Sequence, residues 1–403
     1  MTKEIQQETI RGIALRAKAL GGRTMLVGGC VRDALTGRGS ADIDCEVYGL
    51  APQALRSLAA EFGEVDESGA RYGIFSLKGA GIDLAVPRLE RRTGPKHGDF
   101  DVLLDPALPF ARAAARRDFT VNAILQDALT GEIVDPFGGQ ADLCRGVLRA
   151  VPGDGFAEDP LRVLRGAQFA ARFRLSPDAK TLEKMRTMKT DALSPARVLG
   201  EMKKAMASDA PDVFFDVLRR ADALRPWFGE LAALIGVPQP PRYHPEGDAY
   251  THSMLVLHAA AQKKARALRP EAFVFAALTH DLGKAVSTAR GEDGEWHACG
   301  HENTGVPLTR AMLGRLGVNR EIIAYCENMC RLHMRAHVCY YRQAETGETN
   351  LLFDESVCPN DLALLAVCDT MGKGSASGGA ADEEAFLTGR VRVYKETAAR
   401  GLP

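Results

Sequence analysis

No apolar run in this 403-residue sequence approaches the roughly 18 residues that a membrane-spanning helix needs. The opening stretch, "MTKEIQQETI", is polar and has no apolar core of the kind a secretory leader carries. An excess of charge is missing too: 51 Lys and Arg against 52 Asp and Glu leave a formal net charge of −1. With no global basic field and no dense basic patch, any nucleic-acid contact has to come from a few local cations. The nine cysteines are an odd number without the framework of a small disulfide-bonded domain, which fits reduced thiols in a cytoplasm. No internal repeat is present. These absences exclude a membrane span, a secreted disulfide scaffold and a repeat solenoid. What remains is a soluble, cytoplasmic chain long enough for two or three domains. Its 46% hydrophobic and 26% charged residues are ordinary for a globular protein.

Strand signals are confined to the first part of the chain. From Met1 to about Arg145, "TMLVGG", "IDCEVYG", "YGIFSLKG", "GIDLAVPRL" and "EIVDPFGG" alternate with helical runs, punctuated by glycine and proline. From about Leu148 onward strand signal almost vanishes. "DPLRVLRGAQFAARF" and "VFFDVLRRADALRPWF" space their apolar residues three and four apart, as amphipathic helices do. "GVPQPPRYHPEG" predicts a linker, because its prolines forbid helix. Eight of the nine histidines follow between His244 and His337, and "GKGSASGGAADEE" predicts a flexible loop. The expected fold class is α+β: a mixed-sheet head over 1–145, a helical neck and body over 146–240, and an all-α domain over 241–403.

Chemistry first gathers in "MLVGGCVRDALTGRGSADIDCEVYGL". A glycine pair, Gly28-Gly29, between a strand and a helix lets backbone N–H groups approach a phosphate closely. Arg32 and Asp33 follow on the helix. Asp42 and Asp44, two apart on a strand, are expected to share a face. Asp83 in "GIDLAVPRL" offers a third carboxylate. Like charges side by side are unfavourable unless they share a cation, and carboxylates beside a phosphate cradle suit metal-assisted phosphoryl transfer. The bland alternative is an acidic strand edge. In "RRDFTVNAILQD", Arg116 and Arg117 suit the gripping of a triphosphate, or simply precede a helix capped by Asp118 or Thr120. "AEDPLRVLRGAQFAARF" sets Asp159, Arg162 and Arg165 around a helix start. An acid and an arginine three apart make a solvated ion pair, or a donor–acceptor template for a base edge.

In order, "LVGGCVRD", the "DID" pair, "RRDFTVNAI" with "GEIVDPFGG", "EDPLRVLR" and "SPARVLGEMKKAM" resemble the class II CCA-adding enzymes, the bacterial tRNA nucleotidyltransferase and poly(A) polymerase family. The resemblance implies a β-polymerase-like head followed by helical neck, body and tail. It implies template-independent addition or repair of the 3′-terminal CCA of tRNA from CTP and ATP, with pyrophosphate leaving. Asp42 and Asp44 would hold catalytic Mg²⁺. Gly29, Arg32, Arg117 and Arg165 would contact the nucleotide, and Asp159 with Arg162 would select its base. Gln168 stands where the related bacterial enzymes have another arginine. "ERRTGPKHGDFDVLLD" has the polar, glycine-bearing character of a mobile loop. In this family a loop there accompanies the switch from CTP to ATP, which favours full CCA addition over CC-adding, A-adding or poly(A) polymerase activity. A rival of another class is a phosphohydrolase whose head is inactive.

That rival rests on His252, His280-Asp281 in "ALTHDLGKA", and Asp369 in "LLAVCDTMG". Imidazoles and carboxylates from separate helices can close on one divalent metal and activate water. The set resembles the HD phosphohydrolase superfamily, which implies Ni²⁺, Mn²⁺, Co²⁺ or Mg²⁺ and substrates such as 2′,3′-cyclic phosphates on RNA ends. His301 and His333 are candidate ligands of a second metal. Met334 follows His333 where the related enzymes have an aspartate. "CENMCRLHMRAH" has a zinc-finger look, but Cys326, Cys330, His333 and His337 on one helix form a stripe several turns long. They cannot converge on one tetrahedral ion, and a buried stripe is expected.

Overall fold

The computed structural model describes residues 2–40, 42–92, 100–374 and 378–399. They form two compact units: 1–162 with 175–184, and 163–174 with 185–403.

The first unit is built on a seven-stranded mixed sheet. Its strands are β1 (Arg23–Val27), β2 (Ile43–Tyr48), β3 (Val65–Asp66), β4 (Ile74–Leu77), β5 (Ile82–Ala85), β8 (Leu125–Asp127) and β9 (Ile133–Val134), in the order β3-β4-β5-β2-β1-β8-β9. β2 lies at the centre, antiparallel to β1 and parallel to β5. Alternation sends Cys45 and Val47 to one face, where they meet Ile13 and Ala17 of α1 (Lys3–Ala19) and Leu55 and Leu58 of α3 (Pro52–Ala60). The other face carries Met25, Val27 and Tyr48 against Ala113 and Ala114 of α4 (Phe110–Ala114). The edge of the Tyr48 ring meets Phe110, with centroids 4.6 Å apart. After β1 the chain turns through Gly28, at φ 75°, into the seven-residue helix α2 (Gly29–Leu35). The side chains of one β2 face point at this turn, which is what positions the site. α5 (Gly139–Arg145) follows β9.

The strands β6 (Arg88–Arg92) and β7 (Phe100–Leu104) pair as an antiparallel ribbon. The flanks of the expected mobile loop are therefore strands, and its tip, 93–99, lies outside the described residues. β10 (Val147–Leu148) and β11 (Ser176–Pro177) add a short parallel pair.

The helix α6 (Leu161–Phe173) continues into the second unit, which is helical: α7 (Ala179–Arg186), α8 (Pro195–Met206), α9 (Asp212–Arg220), α10 (Gly229–Ala232), α11 (Ala249–Lys263), α12 (Pro270–Thr279), α13 (Lys284–Ser287), α14 (His301–Arg315), α15 (Arg320–Tyr341), α16 (Thr346–Glu355), α17 (Pro359–Gly372) and α18 (Ala380–Ala399). Of these, α7 straddles the boundary between the units. α17 is buried over almost its whole length, Asp361 and Asp369 included, and packs against α11, α15 and α18. A helix apolar all round belongs in a core, and this one is the axis of its unit. Among the described residues the one strand pair here, β12 (Ala289–Arg290) with β13 (Trp296–His297), is too short for periodicity to reveal. The α+β class holds: a mixed sheet with helices, then an almost wholly helical remainder.

Two loop expectations need correction. The proline-rich stretch 236–247 is non-helical but is tied into the second unit rather than linking two units, through Gln239, which accepts from Lys284, and Glu246, which binds His252 Nδ1. Of the glycine-rich tail, 375–377 lies outside the described residues, but "AADEE" is the first turn of α18, where Asp382 and Glu383 favour a helix start.

Candidate active sites

In the first unit the acidic strand ends meet at the glycine turn. Asp42 sits just before β2, and Asp44 is inside it. The register sets Asp44 opposite Val27 on one side and opposite Asp83 on the other. Among the described residues no hydrogen-bond donor reaches the carboxylates of Asp42, Asp44 or Asp83. Lost hydration, together with Asp83, Asp42 and Glu46, raises the Asp44 pKa above the usual carboxylate value against the pull of Arg117. An acceptor-only cluster of this kind fits a divalent cation by the chemistry of its donors. A Cβ at Gly28 would stand 2.8 Å from Arg117 Nη1 and 3.7 Å from Asp44 Oδ2. Only glycine admits both the positive φ and that approach.

The cations around the turn are seated by protein groups. Arg32 is buried, donating from Nη1 to Asn122 at 2.6 Å and from Nη2 to Asp33 at 2.7 Å. Arg117 donates to Glu46 Oε1 at 3.2 Å, and Arg116 to the same oxygen at 2.7 Å. Burial pushes Glu46 up, but Arg117, Arg116 and the Tyr48 hydroxyl hold it down to about 2. Asp159 lies outside α6 and accepts from Leu161 N–H at 3.0 Å as a cap. Arg162 donates to the carbonyls of Gly155 and Arg116, each at 2.6 Å. In the second unit the Arg165 guanidinium lies 5.1 Å from the Phe169 ring centre, and Gln168 is buried. Sequence reading missed Glu46 and Asn122. Strand alternation from Asp44 points to Glu46, whereas nothing local points to Asn122.

The second unit gathers its histidines around two buried aspartates. His252 Nε2 lies 2.9 Å from Asp369 Oδ1 and 3.6 Å from Asp281 Oδ2, and His280 Nε2 lies 3.3 Å from Asp281 Oδ2. His301 and His333 approach Asp281 Oδ1 at 3.1 and 3.6 Å. Carbonyls fix the tautomers: the Nδ1–H groups of His280, His301 and His333 donate to Ala277, Ala298 and Cys330. In the neutral form each Nε2 is then the ring nitrogen left to bind a metal, and those of His301 and His333 stand 3.2 Å apart. His280 Nε2 and both Asp281 oxygens receive no aligned hydrogen bond despite full burial, and the only fixed cation beside them among the described residues is the Lys284 ammonium, 2.6 Å from Asp281 Oδ2. The ligand atoms of His252, His280 and Asp369, and those of Asp281, His301 and His333, gather within 4.8 Å in two buried groups, so these residues fit a metal. Burial raises the Asp281 carboxyl, but His280, Lys284 and His301 outweigh it and hold it well below the usual range.

An outer ring holds these ligands, and sequence reading missed most of it. Glu246 binds His252 Nδ1 at 2.8 Å, and His337 bridges Asp369 Oδ2 and Glu383 Oε1 at 2.8 Å each. His333 and His337 thus serve different carboxylates. Cys326 and Cys330 lie against backbone carbonyls and the hydroxyls of Thr279 and Thr309, with burial pushing the Cys330 thiol up to about 12, so the stripe holds no common ion. A cavity of about 540 Å³ opens over the site, lined by Asp369, Lys284, Lys373, His244, Trp296 and Tyr341.

Comparison with known proteins places these sites in a family. Residues 24–149 match the poly A polymerase head domain, 174–235 the probable RNA- and SrmB-binding site of polymerase A, and 249–370 the HD domain. The multifunctional CCA protein of Nitrosococcus oceani is 41% identical over 77% of this chain and 74% of its own length. The chain belongs to the multifunctional CCA protein family. The Stenotrophomonas maltophilia member is 38% identical over 85% and 84% of the two chains. A solved CCA-adding enzyme in an apo form shares the fold at TM-score 0.66 and 18% identity, covering 98% of this chain and 85% of that one. The Thermotoga maritima CCA-adding enzyme complexed with tRNA gives 0.61 at 17% identity, covering 98% and 83%. Among the described residues no helix is long and apolar enough to cross a membrane.

Proposed function

We propose that this cytoplasmic protein is a template-independent tRNA nucleotidyltransferase that adds or repairs the 3′-terminal CCA from CTP and ATP. The observation that carries this reading is the acceptor-only cluster of Asp42, Asp44 and Asp83 beside the Gly28-Gly29 turn, with Arg117 over that turn. Mg²⁺ held by Asp42 and Asp44 would supply Lewis-acid stabilisation and a more acidic 3′-hydroxyl. The turn and Arg117 hold the triphosphate in line, so that positioning and preorganised charge supply most of the rate. Gly29, Arg32 and, by family resemblance, Arg165 complete the nucleotide's contacts. Asp159 and Arg162 read the base edge. We read 1–145 as the head, 146–240 as the RNA-binding neck and body, and 241–403 as the HD domain. Labelled CTP or ATP offered with tRNAs ending before, within or after CC tests the assignment. Addition of both C and A in that order is expected, while C alone, A alone or a long A tail assigns the related activities.

A second activity is favoured by a separate observation, the buried convergence of His301 and His333 Nε2 on Asp281. We read the HD domain as a phosphohydrolase. His252, His280, Asp281 and Asp369 would hold Ni²⁺, Mn²⁺, Co²⁺ or Mg²⁺, with His301 and His333 joining Asp281 at a second ion. Such a centre supplies an activated water at neutral pH. Lys373 on the cavity wall would balance the charge of a phosphate ester such as a 2′,3′-cyclic phosphate. The absence of hydrolysis with any of these metals would reduce the domain to a scaffold.

A further inference from the structure

We propose that Glu46 is a positioning residue for nucleotide transfer: its buried carboxylate seats Arg117 at the glycine turn and keeps that guanidinium off Asp44. The inference rests on the reading of the head as a nucleotidyltransferase. Strand alternation puts Asp44, Glu46 and Tyr48 on one face of β2, with Glu46 one repeat, about 7 Å, behind the acidic cluster. Unlike Asp44, which is exposed, Glu46 is 1% exposed. It therefore cannot share a cation with the front cluster. Its oxygens are taken instead by Arg116 at 2.7 Å, Arg117 at 3.2 Å and the Tyr48 hydroxyl at 2.9 Å.

The pairing fixes how Arg117 presents its donors. Nη2 is held by Glu46, while Nη1 stands 2.8 Å from where a Gly28 Cβ would be, the side from which a phosphate reaches the turn. Asp44 Oδ2 stands 3.7 Å from that same point, so the two groups flank one spot. Without a competing carboxylate behind it, the guanidinium would settle on Asp44 as an ion pair and cover a metal-binding oxygen. Glu46 holds it one step back. The Arg116–Arg117 segment is anchored a second time through the Arg116 carbonyl, which accepts from Arg162. Glu46 pairs with both arginines and orders the donor that faces the turn.

The test uses the full-length protein with Glu46→Gln, which keeps shape and hydrogen bonding but removes charge, and Glu46→Asp, which keeps charge but shortens the reach. CTP affinity is measured by calorimetry with Mg²⁺ and no tRNA, so no turnover occurs. Glu46→Gln is expected to weaken CTP binding about tenfold, the size of one lost charge-assisted contact. In steady-state addition it should raise KM for CTP and ATP alike, raise the Mg²⁺ needed for half-maximal rate, and leave base choice unchanged. Glu46→Asp should bind CTP at an intermediate affinity with a normal Mg²⁺ requirement. If Glu46→Gln does not fold, Glu46→Asp carries the same test. Wild-type CTP affinity and Mg²⁺ requirement in a folded variant overturn the proposal, as does lost thermal stability with neither parameter moved. Failure of the unmutated protein to incorporate any nucleotide overturns the nucleotidyltransferase reading instead.

Discussion

Asp44 owes its character to its surroundings rather than to its own chemistry: lost hydration comes first, and Asp83, Asp42 and Glu46 add to it against the pull of Arg117. Asp42→Ala or Asp44→Ala is therefore expected to abolish incorporation of CTP and ATP alike without unfolding the protein, checked by primer extension beside circular dichroism. Base choice lies elsewhere. Asp159→Ala or Arg162→Ala should let UTP or GTP compete, because one good base-edge contact is worth roughly 1–3 kcal/mol, or about ten- to a hundredfold. Competition assays with mixed nucleotides decide this, and retained selectivity would move the role to other residues. Asp127 shows a purely structural carboxylate. Burial opposes its charge, but the N–H groups of Thr130 and Leu129 and the Arg23 guanidinium hold its pKa down to about 2 from an ordinary 3.8. A depressed folded pKa contributes stability above the ordinary value, lost as pH falls from about 4 through about 2. With Arg23 40% exposed, the contribution is roughly 1–2 kcal/mol. Urea titrations should show Asp127→Asn destabilised by that amount at pH 6, with the gap closing towards pH 2.

Elements decide which of these residues meet, and there legibility divides. The glycine turn, the acidic strand and the His-Asp dipeptide were readable because their residues lie within one or two turns of chain. The ring behind the metal ligands was not. Glu246 comes from a stretch that proline content marks as a linker, and Glu383 from a helix whose first turn follows a glycine-rich run. A side chain that reaches its partner across a fold leaves no period in the sequence. α18 is the sharpest case. Its Glu383 is fully buried and binds both His337 and the Thr370 hydroxyl, locking the Asp369 carboxylate from behind. Glu383→Ala should cost roughly 1–3 kcal/mol of stability by orphaning buried partners. It should also weaken metal binding, since partners behind a ligand typically govern 10–100-fold in affinity. Calorimetry of Ni²⁺ binding and thermal melts with and without the ion measure the two effects. Glu383→Gln, which keeps the hydrogen bonds, should recover most of the stability.

At the scale of the whole molecule, the candidate metal ligands of each centre lie within one compact unit. Asp42, Asp44, Asp83, Glu46 and Arg117 all lie in the first, and His252, His280, Asp281, His301, His333 and Asp369 all lie in the second. Their donor sets differ accordingly: oxygen only at the exposed head cluster, imidazole with carboxylate in the buried one. Hard oxygen sites suit Mg²⁺, whereas imidazole favours transition metals, so one preparation should show two metal preferences. His280→Ala with Asp281→Ala is expected to remove hydrolysis of cyclic phosphates while nucleotide addition continues at its wild-type rate. Asp42→Ala with Asp44→Ala should do the reverse. Assaying both activities on each double variant, after stripping with a chelator and reloading with Mg²⁺ or Ni²⁺, separates them. Loss of nucleotide addition in the folded His280/Asp281 variant would show that the second unit's metal centre supports the first unit's chemistry, and would end the reading of two independent sites.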